Sequence, residues 1–141
     1  MKKNILIIGA GWYGCHLGLY LKNKGHKVKI YEKNKDIFRG PSGKNQFRLH
    51  NGYHYPRSSI TINKVKSNFI KFNKMYGKFI NFPKNNVYCI AKKESLIDFG
   101  TYTKILKANK LPFKIKTVDY LKNIEGAVLI KEGVLQNSKI K

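Results

Sequence analysis

The sequence predicts an α/β fold that opens with a partial βαβ unit on a parallel sheet and continues into the start of an α+β region. Three observations carry this reading. A short apolar run over residues 3–8 ends in a glycine-rich turn, a helical stretch follows over residues 12–23, and an alternating segment over residues 27–31 completes the unit. A right-handed crossover between two such strands makes them parallel.

Residues 3–8 read as a buried strand, because the run is β-branched and too short for a helix. The helix over 12–23 stops at Gly25, the residue type that most easily follows a helix end. Lys, Val, Lys, Ile and Tyr over 27–31 alternate as a strand does. Residues 34–58 are rich in Gly, Asn, Ser and Pro and read as loop. From Ser58 or Ser59 onward, Ile62, Val65, Phe69, Phe72, Tyr76 and Phe79 recur at steps of three and four, the pattern of an amphipathic helix. The same seam fits a short coiled coil, but packing on the chain's own core is the simpler assignment. A strand is expected over 87–91. Ser95 and Asp98 then read as a capping box opening a helix with Leu96, Phe99 and Leu106 on one face. The remainder reads as a short strand over 113–115, a short helix over 119–124, a last strand over 127–130, and a frayed polar tail after Leu135.

The 141 residues suffice for one real core. No apolar run approaches the roughly 20 residues that cross a bilayer, and the apolar start breaks at Gly9 too soon for a signal peptide. Cys15 and Cys89 match no metal-ligand or redox spacing, so a reducing, cytoplasmic setting and no metal are expected. The charge is unusual, with 29 basic against 7 acidic residues and a formal +22. Nucleic-acid binding would use such a field. However, only Arg39, Arg48 and Arg57 among those cations are arginines, and the lysines are spread along the whole chain. That pattern fits solvated faces with salt-sensitive, nonspecific anion binding and no specific nucleic-acid partner.

The turn itself, Gly9-Ala10-Gly11-Trp12-Tyr13-Gly14, is a GxGxxG. Gly9 permits the tight turn, Gly11 lets the backbone approach a pyrophosphate, and Gly14 lets helix and sheet pack. The backbone N–H groups near Trp12 and Tyr13 are expected to face phosphate at the helix N-terminus, while the side chains of Trp12 and Cys15 are expected to pack. Glu32, 18 residues past Gly14, closes the second strand, where a carboxylate accepts hydrogen bonds from ribose hydroxyls. It and Asp36 are the only acids before Glu94. Lys33 beside it joins the expected cofactor-binding set. A Rossmann-type dinucleotide site follows, with a glycine turn beside an ordinary surface glutamate as the plain alternative. An acid at this position disfavours NADP, and the fingerprint alone leaves FAD and NAD both open.

The next segment leans toward FAD. All three arginines lie between 39 and 57, with His50 and His54 among them, which points to a local use for planar, forked donors. From Ser42 to Pro56 the chain carries Ser-Gly-x-Asn, four residues, then His-x-Gly-x-x-Tyr-Pro, with Ser42, Gly43, Asn45, His50, Gly52, Tyr55 and Pro56 in those places. Here the sequence resembles the D-amino-acid-oxidase-like superfamily of FAD-dependent oxidoreductases, and within it the branch that oxidises 2-hydroxy acids such as 2-hydroxyglutarate. The resemblance implies that Ser42 and Asn45 lie near the pyrophosphate and flavin and that Arg48 and His50 approach the ring, with His50 as the catalytic candidate. It also implies that residues 1–80 supply the first part of an FAD-binding domain and 81–141 the start of a substrate domain. Gln46-Phe47 replaces the Ser-Gly usual in that branch, so the substrate is not carried over. Amines, amino acids and 2-hydroxy acids all stay open. For His50 and His54 the plain alternative is a pair of loop histidines satisfied by hydrogen bonds, favoured for His54. His16 and His26 carry no signal. Because such enzymes are typically more than twice this length, the chain is expected to be a fragment or a reduced protein. An NAD-binding dehydrogenase or epimerase module and a non-catalytic remnant remain as alternatives.

Overall fold

The computed structural model describes residues 1–136, which form two compact units, Met1–Gln46 and a second that begins at Phe47. In the first, β1 (Asn4–Ile8) and β2 (Lys27–Tyr31) pair in parallel, from Asn4 opposite Lys27 to Ile8 opposite Tyr31. They are joined by α1 (Trp12–Asn23). The expected βαβ unit is present. Packing runs through Gly18, the buried position of α1, where a Cβ would come within 2.8 Å of Ile30 Cδ1. The helix closes with the Gly25 N–H donating to the Lys22 carbonyl at 2.9 Å.

One expectation is corrected here: β1 is not a buried strand. Only Ile7 is buried, on the face that meets α1, while Leu6 and Ile8 on the opposite face are exposed. A pleated strand sends alternate residues to opposite faces, and among the described residues of this unit only α1 covers the sheet.

Among the described residues the second unit holds two antiparallel sheets and two α-helices. β3 (Arg48–Leu49), β8 (Gly133–Leu135) and β4 (Ile80–Asn81) form one sheet in the order β3-β8-β4. The other has the order β5-β7-β6, from β5 (Val87–Ala91), β7 (Ile124–Ile130) and β6 (Phe113–Lys116). Its two helices are α2 (Ser59–Tyr76) and α3 (Phe99–Ala108). Ser58 caps α2 by accepting the Thr61 N–H at 3.2 Å. Ile62 is fully buried, and Val65, Phe69, Phe72 and Tyr76 are half-buried along the expected seam. Tyr53, Ile62, Ile90, Tyr102, Leu106, Leu111, Val128 and Ile130 make one contiguous core.

Two local expectations fail in this unit for physical reasons. Asp98 alone caps α3, with one oxygen accepting the Thr101 N–H at 2.7 Å and the other the Thr101 hydroxyl at 2.6 Å. The carboxylate offers a separate oxygen to each of the two Thr101 donors. Ser95 instead donates to the Ile97 carbonyl, and Leu96 lies exposed outside the helix. The helix expected over 119–124 does not form. The Leu121 N–H donates to the Val118 carbonyl in a turn, and Ile124 already pairs with Ala91. Ladder bonds override a weak helical preference. The last strand expected over 127–130 is longer, starting at Ile124, and is followed by β8. The tail expected to fray lies, beyond Gln136, outside the described residues. Among the described residues no helix is long and apolar enough to cross a membrane.

Candidate functional site

The glycine turn is shaped by two constraints that only glycine meets. Gly9 sits at φ +96°, and its N–H donates to the Tyr31 carbonyl at 2.7 Å. A Cβ on Gly14 would lie 2.0 Å from the Gly9 carbonyl oxygen, so the helix could not start this close to the strand end with any other residue. Gly11 is the N-cap of α1, with no side-chain cap and no acid in the first turn. The first N–H groups of a helix lack intrahelical acceptors. Here the Trp12 N–H finds one, the Ser42 hydroxyl at 2.9 Å.

Glu32 turns toward this turn. Its Oε2 accepts the Ala10 N–H at 2.8 Å, and its Oε1 accepts the Asn34 N–H at 2.9 Å and the Asn34 side-chain N–H at 2.7 Å. The Ala10 bond first, then the Asn34 bonds, hold its carboxyl below the usual range, so it is ionised at neutral pH. Gly9, Gly11, Glu32, Lys33 and Ser42 wall a common cavity of about 350 Å³, together with Ile8, Asn34, Gly40 and Pro41. That volume lies within the range of small-ligand sites. Trp12, Tyr13, Gly14 and Asn45 are not among its walls. The Trp12 ring stacks on Phe38, the Tyr13 side chain is exposed, Gly14 faces Gly9 across the turn, and Asn45 donates to the Pro41 carbonyl at 3.3 Å. The Cys15 thiol packs against the Ala10 carbonyl at 3.5 Å, and burial pushes it up.

Arg48 and His50 belong to the other unit, where they join a cluster that the sequence reading only half found. β3 runs antiparallel to β8 with Leu49 opposite Gly133, and one step further along this register His50 faces Glu132. Glu132 is 1% exposed. Its Oε2 receives the Arg48 guanidinium at 2.8 Å and its Oε1 the Asn51 N–H at 3.0 Å. His50 Nδ1 and His54 Nε2 stand 3.7 and 3.8 Å from the same Oε2. His54 Nε2 also bonds the Tyr88 hydroxyl at 2.7 Å, so its expected role as a hydrogen-bonded loop histidine is what the structure shows. Burial first, then His50, lowers its affinity for a proton. The imidazoles and the carboxylate offer atoms within 4.8 Å of one another, but the guanidinium already fills the place a cation would take beside Glu132. Sequence reading missed Glu132 and Tyr88. The available signal was one acid between two apolar strands in a lysine-rich chain.

Comparison with known proteins identifies the family. The sequence model of the family described as DAO, FAD dependent oxidoreductase, matches residues 4–136. The FAD-dependent monooxygenase FPY4 of Fusarium mangiferae is 35% identical over 135 residues, which is 94% of this chain and 37% of that protein. The FAD-dependent monooxygenase kojA of Aspergillus flavus is 40% identical over 90 residues, 64% of this chain and 21% of that protein. In fold, L-proline dehydrogenase from P. horikoshii is similar at a TM-score of 0.56 and 19% identity, covering 99% of this chain and 39% of that one. The chain thus spans well under half the length of the proteins it matches. It belongs to the DAO family of FAD-dependent oxidoreductases, whose cofactor is FAD.

Proposed function

We propose that this member of the FAD-dependent oxidoreductase family serves the oxidation of a small amine, amino acid or 2-hydroxy acid. FAD, when bound, takes the hydride. The chain's own residues bind and orient. Gly9, Gly11 and the N–H groups near Tyr13 and Gly14 receive the diphosphate, with the Trp12 N–H holding the Ser42 hydroxyl beside them, and Glu32 with Lys33 holds the ribose side. Ser42 and Asn45 flank the same group. Arg48 contacts the flavin or a substrate carboxylate, and His50 handles the substrate's proton. Residues 1–80 count toward the cofactor domain and 81–141 toward the substrate domain. A cytoplasmic location belongs to the same proposal.

The observation that carries this reading is the shared cavity of Gly9, Gly11, Glu32 and Ser42, with an ionised carboxylate at its wall. Titrating the purified chain with FAD, with flavin fluorescence as the readout, tests it. Replacing a charge-assisted acceptor should weaken binding, so Glu32→Ala is expected to lower FAD affinity roughly tenfold. Equal affinity in that variant removes the ribose role. The names of the curated relatives, FAD-dependent monooxygenases, favour a second reading, in which FAD, when bound, would supply the two electrons for inserting one atom of dioxygen into a substrate while the other leaves as water. Isotopic oxygen incorporated into product separates the two.

A further inference from the structure

The buried carboxylate of Glu132 has no task in the function proposed above, yet it organises every polar group in its cluster. A buried charge is tolerated when it is paired and hydrogen-bonded. Arg48 on one oxygen and the Asn51 N–H on the other meet that need and anchor the carboxylate from two sides. An ionised carboxylate is acceptor-only, so any further group facing Oε2 has to donate to it.

Among the described residues, His50 Nδ1 is buried with no hydrogen-bond partner. Buried polar atoms nearly always have one. Glu132 Oε2 lies 3.7 Å away, and a shift of about 1 Å would bring the pair to ordinary hydrogen-bond length. His54 faces the same oxygen at 3.8 Å, but its Nε2 is engaged by the Tyr88 hydroxyl. Tyr53 and Tyr102 complete the surroundings. Burial, more than Glu132, keeps both phenols protonated. Of the ring nitrogens near the carboxylate, His50 Nδ1 is the one still without a partner.

We infer that Glu132 and His50 form a carboxylate–imidazole dyad, in which Glu132 holds the ring proton on Nδ1 and leaves the Nε2 lone pair as a proton acceptor. Glu132 is then a positioning residue acting through His50, and the inference rests on the role proposed for His50 above. Oxidation of a carbon bearing a hydroxyl or amine removes a hydride, which the flavin takes when bound, and a proton, which needs a base. The C–H pair leaves with the hydride, the O–H or N–H pair becomes the second bond of the C=O or C=N, and the proton goes to Nε2. The resulting imidazolium donates from Nδ1 to Glu132. A histidine oriented by a buried carboxylate in this way is a recurring device for proton transfer.

The test is the tautomer of His50 in the full chain labelled with ¹⁵N-histidine. Long-range ¹H–¹⁵N spectra at about pH 8, above the ordinary histidine range, report which ring nitrogen is protonated, and a His50→Asn variant assigns the signal. We expect Nδ1–H in the parent chain and a gain of the Nε2–H form in Glu132→Gln, where the charge on the acceptor is gone. A parent chain with His50 protonated on Nε2 overturns the dyad even if the Glu132 variant fails to fold. FAD titration of the same samples keeps the two ideas apart. Nδ1–H in a chain that binds no FAD upholds the dyad while removing the cofactor assignment. FAD binding beside an Nε2–H His50 overturns the dyad alone.

Discussion

In the amino-terminal unit, Leu6, Ile8, Leu17, Leu19, Tyr20, Ile30 and Tyr31 are exposed, and Ile7, Ala10, Phe38 and Gly18 are its buried positions. The unit that begins at Phe47 instead gathers Tyr53, Ile62, Tyr102, Leu106 and Val128 into a core at 0–1% exposure and seals a carboxylate beside it. The first unit is held by local geometry: a glycine turn, a short parallel ladder and a carboxylate gripping the backbone ten residues into the chain. The second is held by burial and by contacts between residues far apart in sequence. The contrast shows that a fingerprint for a cofactor can be complete while the unit carrying it has little apolar burial of its own.

The largest expected effect falls in the core of the second unit. Tyr102→Ala removes a buried ring and its hydroxyl bond to the Tyr53 carbonyl, and should destabilise by about 3–5 kcal/mol, read from the denaturant midpoint. A loss under about 1 kcal/mol would mean that this core is not what holds the unit together. Next comes Arg48→Ala, which leaves Glu132 buried without its cation. Because Arg48 keeps 27% of its side chain in solvent, the expected cost is about 2–3 kcal/mol, at or below the lower end for breaking a buried pair. Arg48→Lys should recover part of it by restoring charge without the fork.

A smaller effect depends on pH. The folded chain resists protonating His54, first through burial, whereas the unfolded chain accepts the proton near pH 6.5. The contribution of His54 is therefore complete above about pH 6.5 and declines as the pH falls below it. Denaturation curves of His54→Gln should show a shallower loss between about pH 6.5 and 5 than the parent. Identical slopes would remove His54 as a source of the acid sensitivity. The smallest effect sharpens the contrast from the other side. Leu19→Ala, on an exposed face of α1, should change stability by under about 0.5 kcal/mol. In hydrogen exchange, β1 and β2 amides should exchange faster than those of β5 and β7. Equal protection would erase the distinction between the two units.

Much of the first unit was legible because its information is local. The helix bounds at Trp12 and Asn23, the strand over Lys27–Tyr31 and the place of Glu32 follow from residues within one βαβ span. Glycine spacing and chain stereochemistry leave that span few conformations. The Ser58 cap and the seam from Ile62 to Tyr76 were legible for the same reason. The turn over 118–121 and the reassignment of the α3 cap were not. Each was decided by competition with a partner: Ala91 across the ladder in one case, the Thr101 hydroxyl in the other.

By itself, then, the sequence determined a glycine-turned βαβ unit and a carboxylate placed to serve it, since both depend on neighbours along the chain. Only the tertiary structure decided that Arg48, His50 and His54 would converge on Glu132, 84 positions from Arg48. That meeting depends on the antiparallel register of β3 with β8 and on a core that excludes water around one acid. Neither burial nor strand partnership is a property of any local stretch of residues.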